Sequence, residues 1–173
     1  MSTNGDADAL KGSDGLEMVD VRLARIVIRE GVDHHFIFLT EKRGKRGFPI
    51  VIGTSEAQEI RRVVTASEAP PRPLTHQLAC ATITALGAKI RRVDIVDLRN
   101  NTFYARLVLA KENGEEVLVD ARPSDALAIA LRLGAGVRVA EHVLAQVRTD
   151  KSATPNPPQA EAGDESDEAD EDE

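Results

Sequence analysis

The chain has 173 residues, 42% of them apolar and 29% charged, with a formal net charge of −7. That length suits one domain with tails, and the apolar share supplies a core, which excludes a wholly disordered chain. The one cysteine, Cys80, excludes a disulfide framework within the chain and points to a reducing, cytoplasmic compartment.

The charge is unevenly placed. Residues 149–173 carry ten carboxylates against Lys151, a balance of −9, and residues 1–18 carry four against Lys11, a balance of −3. Residues 19–148 are therefore net +5, from 20 basic and 15 acidic side chains. A mildly basic folded part makes polyanions plausible partners. The first 18 residues lack a basic start and an apolar run, so no signal peptide is expected. No stretch approaches the roughly 20 apolar residues of a membrane helix.

In chain order, the first expected strand spans 19–28. Val19, Val21 and Leu23 alternate with Asp20 and Arg22, and then the phase slips to Ala24, Ile26 and Ile28. Such a slip predicts a bulge or a strand buried on both faces. Strands follow over 35–40 and 48–52, joined by the hairpin loop Lys42-Arg43-Gly44-Lys45-Arg46-Gly47. A helix then starts near Ser55, with Ser55 and Gln58 as a capping box and Ala57, Ile60, Val63 and Val64 as its buried stripe. Pro70, Pro71 and Pro73 forbid helix in the connection that follows. Thr75 can cap a second helix over 78–86, closed by Gly87, in which Cys80 reads as a core residue.

Two strands, 90–98 and 103–110, are joined at Asn100-Asn101, where asparagine tolerates left-handed turn geometry. Asn113-Gly114 turns into a strand over 116–120. Pro123 opens a helix over 124–133 that Gly134 ends; it is apolar nearly all round, which places it centrally against the sheet. A short strand near Val137 and a helix over 140–147 complete the domain. Hairpin-linked strands with inserted helices give a single α+β domain over 19–148, its mixed or mostly antiparallel sheet packed with three to four helices. The segment 1–18 and the proline-rich, acidic 149–173 are expected to be disordered.

Three segments carry chemistry. Arg72-Pro73-Leu74-Thr75-His76-Gln77 sets a histidine at a helix start, beside an arginine held by prolines. A histidine can shuttle protons near neutral pH, although the same pattern fits a helix cap. Asp120-Ala121-Arg122-Pro123-Ser124-Asp125 gathers two carboxylates, a guanidinium and a hydroxyl at a strand-to-helix junction. That junction suits a divalent metal or a phosphate; equally, Asp125 complements the helix dipole and Arg122 pairs with Asp120. Lys42, Arg43, Lys45 and Arg46 suit successive phosphates of a nucleic acid, or form a solvated hairpin tip.

The motifs Arg72-Pro73-Leu74-Thr75-His76, Leu86-Gly87, Thr102-Phe103-Tyr104-Ala105 and Asp120-Ala121-Arg122-Pro123-Ser124-Asp125-Ala126-Leu127-Ala128, in this order, resemble the bifunctional nuclease domain family. The resemblance covers about 19–148. It implies a compact domain that forms homodimers and a nuclease acting on DNA and RNA. The family pattern has an aspartate where this chain has Gln77, which removes one carboxylate from any metal-binding set.

The expected function is phosphodiester hydrolysis on DNA or RNA. Arg72 and Arg122 would clamp the scissile phosphate, and His76 would move the proton. Asp120, Asp125 and Glu56 would hold Mg²⁺ or Mn²⁺. The hairpin cations would supply sequence-independent affinity. The alternative is a catalytically weak or inactive nucleic-acid-binding or regulatory dimeric module. The acidic tail reads as a solubiliser, or as a nucleic-acid mimic that competes for the basic face.

Overall fold

Alternation of apolar and polar residues sorts the two faces of one sheet, and the helices collect on its apolar face. The computed structural model describes residues 15–67, 70–147 and 149–150. In these residues the strands are β1 Met18–Val27, β2 His34–Glu41, β3 Arg46–Gly53, β4 Lys89–Arg99, β5 Thr102–Ala110, β6 Glu116–Ala121, β7 Gly136–Ala140 and the two-residue β8 Thr149–Asp150. The helices are α1 Thr54–Val64, α2 Thr75–Ala85, α3 Pro123–Leu133 and α4 Glu141–Val147. The sheet order is β6-β5-β4-β7-β1-β2-β3-β8. Only β4 and β7 run parallel, and β5, β6 and α3 form the crossover between them. The fold is a single α+β domain with a mostly antiparallel sheet.

The phase slip in β1 is a bulge. Leu23 pairs with Leu39 and Arg25 with Phe38, so Ala24 is the extra residue between them. The β4–β5 turn places Asn100 and Asn101 at φ 49° and 59°, the left-handed region that asparagine tolerates.

The core lines one face. Val21, Ile37, Leu39, Phe48, Ile50, Val93, Ile95, Leu107, Val137 and Val139 are buried there with Ala126, Leu127, Ala128 and Ala130 of α3. Helix α3 packs on β4, β5 and β7 and also on α1 and α2, the central position its apolar surface demands. Phe48 of β3 stacks on Phe103 of β5 with centroids 5.6 Å apart, although four strands separate β3 from β5. The sheet is thus strongly curled around its core. Cys80 is buried, and burial pushes its thiol up from the ordinary value.

The opposite face carries a transverse row of alternating charge. Asp120, Arg106, Asp94, Arg138 and Asp20 are successive cross-strand partners on β6, β5, β4, β7 and β1. Asp94 is fully buried and accepts from Arg138 Nε at 2.8 Å and Arg92 Nε at 3.3 Å.

Several local expectations are corrected. Gly53, not Ser55, caps α1, and the Ser55 hydroxyl donates to Glu56 Oε2 at 3.0 Å. The buried side of α1 is Glu56, Ala57, Glu59 and Ile60, while Val64 is exposed. Two carboxylates displace the expected valine because arginines from elsewhere neutralise them. Leu74 caps α2, its N–H donating to Gln77 Oε1 at 2.8 Å, so Thr75 is already helical. Residues expected in the tails also join the fold. Leu16 packs against the core, and Thr149 and Asp150 pair with Gly47 and Arg46. The rest of the expected disordered tails, 1–14 and 151–173, lies outside the described residues.

Candidate active site

Three helix starts meet at one cavity. Glu56 lies in the first turn of α1, His76 in the first turn of α2 and Asp125 in the first turn of α3. Exposed N–H groups at a helix start favour negative charge, which accounts locally for the two carboxylates. The packing of α1 and α2 on α3 brings the three starts together.

A continuous chain of polar contacts results. His76 Nε2 bonds Asp125 Oδ1 at 2.9 Å, and Arg122 Nε donates to Asp125 Oδ2 at 2.7 Å. Arg122 Nη2 donates to Glu56 Oε1, whose other oxygen takes the Ser55 hydroxyl. These groups line a cavity of about 300 Å³, together with Thr75 and Arg62. His76 and Asp125 are half-buried, whereas Arg122 is 67% exposed. Burial pushes the Glu56 carboxyl up. Hydrogen bonds from its own backbone N–H, from Arg122 and from Ser55 outweigh that and hold it below the ordinary carboxylate value. The same pairing, with Asp125 first and Glu56 second, raises the Arg122 guanidinium.

His76, Arg122, Asp125 and Glu56 therefore come from three separate segments to one place. Two expected members do not. Asp120 precedes Arg122 by only two residues, yet strand alternation sends it to the face of its partner Arg106, and it is exposed. Arg122 pairs with Asp125 and Glu56 rather than with Asp120. Arg72 is exposed ahead of α2 and is not among the residues lining the cavity.

The metal set Asp120, Asp125 and Glu56 is accordingly not assembled. Glu56 and Asp125 each bond Arg122, and among the described residues no group of three His, Cys, Asp or Glu side chains is drawn together. A divalent cation would have to displace the guanidinium, so this donor set does not fit Mg²⁺ or Mn²⁺.

The bifunctional nuclease domain matches residues 37–152, a span that contains every member of this contact chain. The chain belongs to the bifunctional nuclease domain family. An "uncharacterized protein" of Mycobacterium tuberculosis is 44% identical over 129 residues, covering 75% of this chain and 76% of that protein. "Bifunctional nuclease 1" of Oryza sativa subsp. indica and "Bifunctional nuclease" of Oryza minuta are each 27% identical over 138 residues, covering 78% of this chain and 42% of theirs.

Within this bifunctional nuclease domain the basic hairpin divides. Lys42, Arg43 and Lys45 are exposed. Arg46 is not available to phosphate in the way expected, because Glu41 and Glu141 both hold it, with Nη2 at 2.6 Å and 2.9 Å from their oxygens. The hairpin tip and the cavity sit at opposite ends of β3, whose eight residues span roughly 26 Å. No described helix is long and apolar enough to cross a membrane.

Some members of the neighbourhood have no clear sequence signal. Glu59 is 1% exposed and is held by Arg62 and by Arg132, the latter 73 residues away. The one available hint is that Glu56 and Glu59 recur at helical spacing with the buried Ala57 and Ile60.

Proposed function

We propose that this bifunctional nuclease domain hydrolyses phosphodiester bonds in DNA or RNA at the cavity where α1, α2 and α3 begin. The observation that carries the proposal is the 2.9 Å bond from His76 to Asp125, whose other oxygen is fixed by Arg122. A carboxylate accepting from Nε2–H leaves Nδ1 as the proton acceptor of the imidazole ring. Nδ1 then takes a proton from water as the water oxygen bonds to phosphorus. The same proton passes to the leaving oxygen as the P–O bond breaks. Arg122 keeps Nη1 for a phosphate oxygen, while its Nε and Nη2 are held by Asp125 and Glu56. No step runs through a metal, because the donor set does not fit one.

The test is cleavage of labelled single- and double-stranded DNA and RNA by the purified full chain. His76→Ala and Asp125→Asn should each lower turnover by roughly 10²–10⁴-fold, the usual share of general acid–base catalysis. Cleavage should survive EDTA; its complete loss there would assign the chemistry to a cation instead. Wild-type turnover in both variants would overturn the site.

One observation favours the second reading, a nucleic-acid-binding module. Apart from His76, the cavity is lined by three carboxylates, Glu56, Glu59 and Asp125, against two guanidiniums, Arg62 and Arg122, a balance that disfavours a scissile phosphate there. Salt-sensitive binding with no cleavage under any metal would select that reading.

A further inference from the structure

A second cavity, about 210 Å³ in volume, opens beside the first, and Arg62 lines both. Its charge balance is the reverse of its neighbour's. The buried carboxylate of Glu59 accepts from two guanidiniums: Arg62 at Oε2, through Nε at 3.2 Å and Nη2 at 3.0 Å, and Arg132 at Oε1, through Nε at 3.1 Å and through Nη2. Among the described residues, two cations against one anion leave one positive charge uncompensated. Each arginine presents its Nε–Nη2 edge to Glu59, which leaves both Nη1 groups as donors on a fixed fork.

Both arginines are about a quarter to a third exposed, at 31% and 26%, so they are held in place and still reachable. Among the described residues the remaining polar wall is neutral. It is formed by Ser67 and by Gln77, whose Oε1 already accepts the Leu74 N–H, so its amide N–H₂ is left to donate. None of the described residues lining this cavity is acidic.

We propose that Arg62 and Arg132 form an anion subsite for the phosphate adjacent to the one cleaved, so that the substrate is a polynucleotide strand rather than an isolated diester. The proposal rests on the nuclease reading for the position of the cleaved bond. It answers the charge deficit of the first cavity: three carboxylates against two guanidiniums give that cavity weak affinity for phosphate, and the neighbouring pair holds the strand over it. Shared Arg62 makes the two cavities one track along α1.

The experiment compares binding of a single-stranded DNA oligonucleotide with binding of a dinucleoside monophosphate, by calorimetry, in the full chain and in two variants. Arg132→Gln removes one fork. Gln77→Glu is the variant that spares the fold, because it leaves both partners of Glu59 in place and a carboxylate can still accept the Leu74 N–H. Either variant should shrink the preference for the oligonucleotide by about tenfold, the worth of one charge-assisted hydrogen bond. The log–log salt slope for the oligonucleotide should flatten by about 0.7 for each phosphate no longer engaged. An unchanged preference and slope in both variants would overturn the subsite, as would a wild type that binds the two ligands equally. Strong oligonucleotide preference without any cleavage would refute the nuclease reading and leave the subsite standing.

Discussion

Glu59 offers the sharpest test of how the charged centre of α1 is held. Its carboxylate is 1% exposed and lies between Arg62 and Arg132. Glu59→Gln keeps the shape and removes the charge. A carboxamide has one oxygen to offer, so one guanidinium must face an N–H₂ group instead of an acceptor. Charge-assisted hydrogen bonds are worth about 1.5–3 kcal/mol each. Both arginines can partly rehydrate, which keeps the loss at the lower end of the range for a broken buried pair, about 3 kcal/mol. The thermal midpoint should fall by roughly 10 °C for a domain of this size. The effect also has a pH signature. Burial pushes the Glu59 carboxyl up, but Arg132 and Arg62 more than reverse that, so it lies below the ordinary 4.5 in the folded protein. A carboxyl lowered by folding stabilises fully above its unfolded value and loses that contribution as pH falls through the folded value. In urea unfolding, the gap between wild type and variant should therefore be complete near neutral pH and should close well below 4.5. A gap of equal size at both ends, or no gap at neutral pH, would refute the reasoning.

Three further outcomes are expected. Arg46→Ala should destabilise the domain by about 1–2 kcal/mol, because Glu41 and Glu141 lose their shared cation, whereas joint replacement of Lys42, Arg43 and Lys45 by alanine should leave the melting curve in place and lower affinity for nucleic acid. Asn101→Val should cost about 1–2 kcal/mol in denaturant unfolding, since a β-branched residue must adopt φ 59° there, while Asn101→Gly should be neutral or slightly stabilising. Cys80 should react slowly with a thiol reagent in the native protein and quickly in denaturant, as burial both covers the thiol and raises it above its ordinary value.

The features legible in the sequence obey local rules. The slip from Leu23 to Ala24 marks the bulge because side-chain period alone reveals an extra residue in a strand. The Asn100-Asn101 turn is readable because left-handed backbone selects asparagine within two residues. His76 and Asp125 stand out because each sits at a helix start that nearby prolines mark within a few positions. The misreadings share a different cause. Arg46 resembles its three neighbouring cations in sequence, but its partner Glu141 is 95 residues away. Val64 falls on a stripe drawn through apolar residues only, whereas Glu59 takes the buried place because Arg132 reaches it from α3. Asp120 is inseparable from Arg122 in sequence, yet strand alternation and a helix start place the two on different faces.

The same distinction bears on function. Each candidate group in the cavity is explicable singly: Asp125 and Glu56 complement helix dipoles, and Arg122 bridges the two. A purely structural cluster, however, has no reason to orient an imidazole. Asp125 has two oxygens, and Arg122 with its own helix start would satisfy it without His76. The bond to Nε2 adds directional control of the ring, and that control matters chiefly where a specific nitrogen must accept a proton. His76→Gln separates the two explanations. Glutamine can donate to Asp125, so a structural role predicts a native melting curve and native nucleic-acid cleavage. A proton-transfer role predicts the native melting curve with cleavage lowered by at least about 10²-fold.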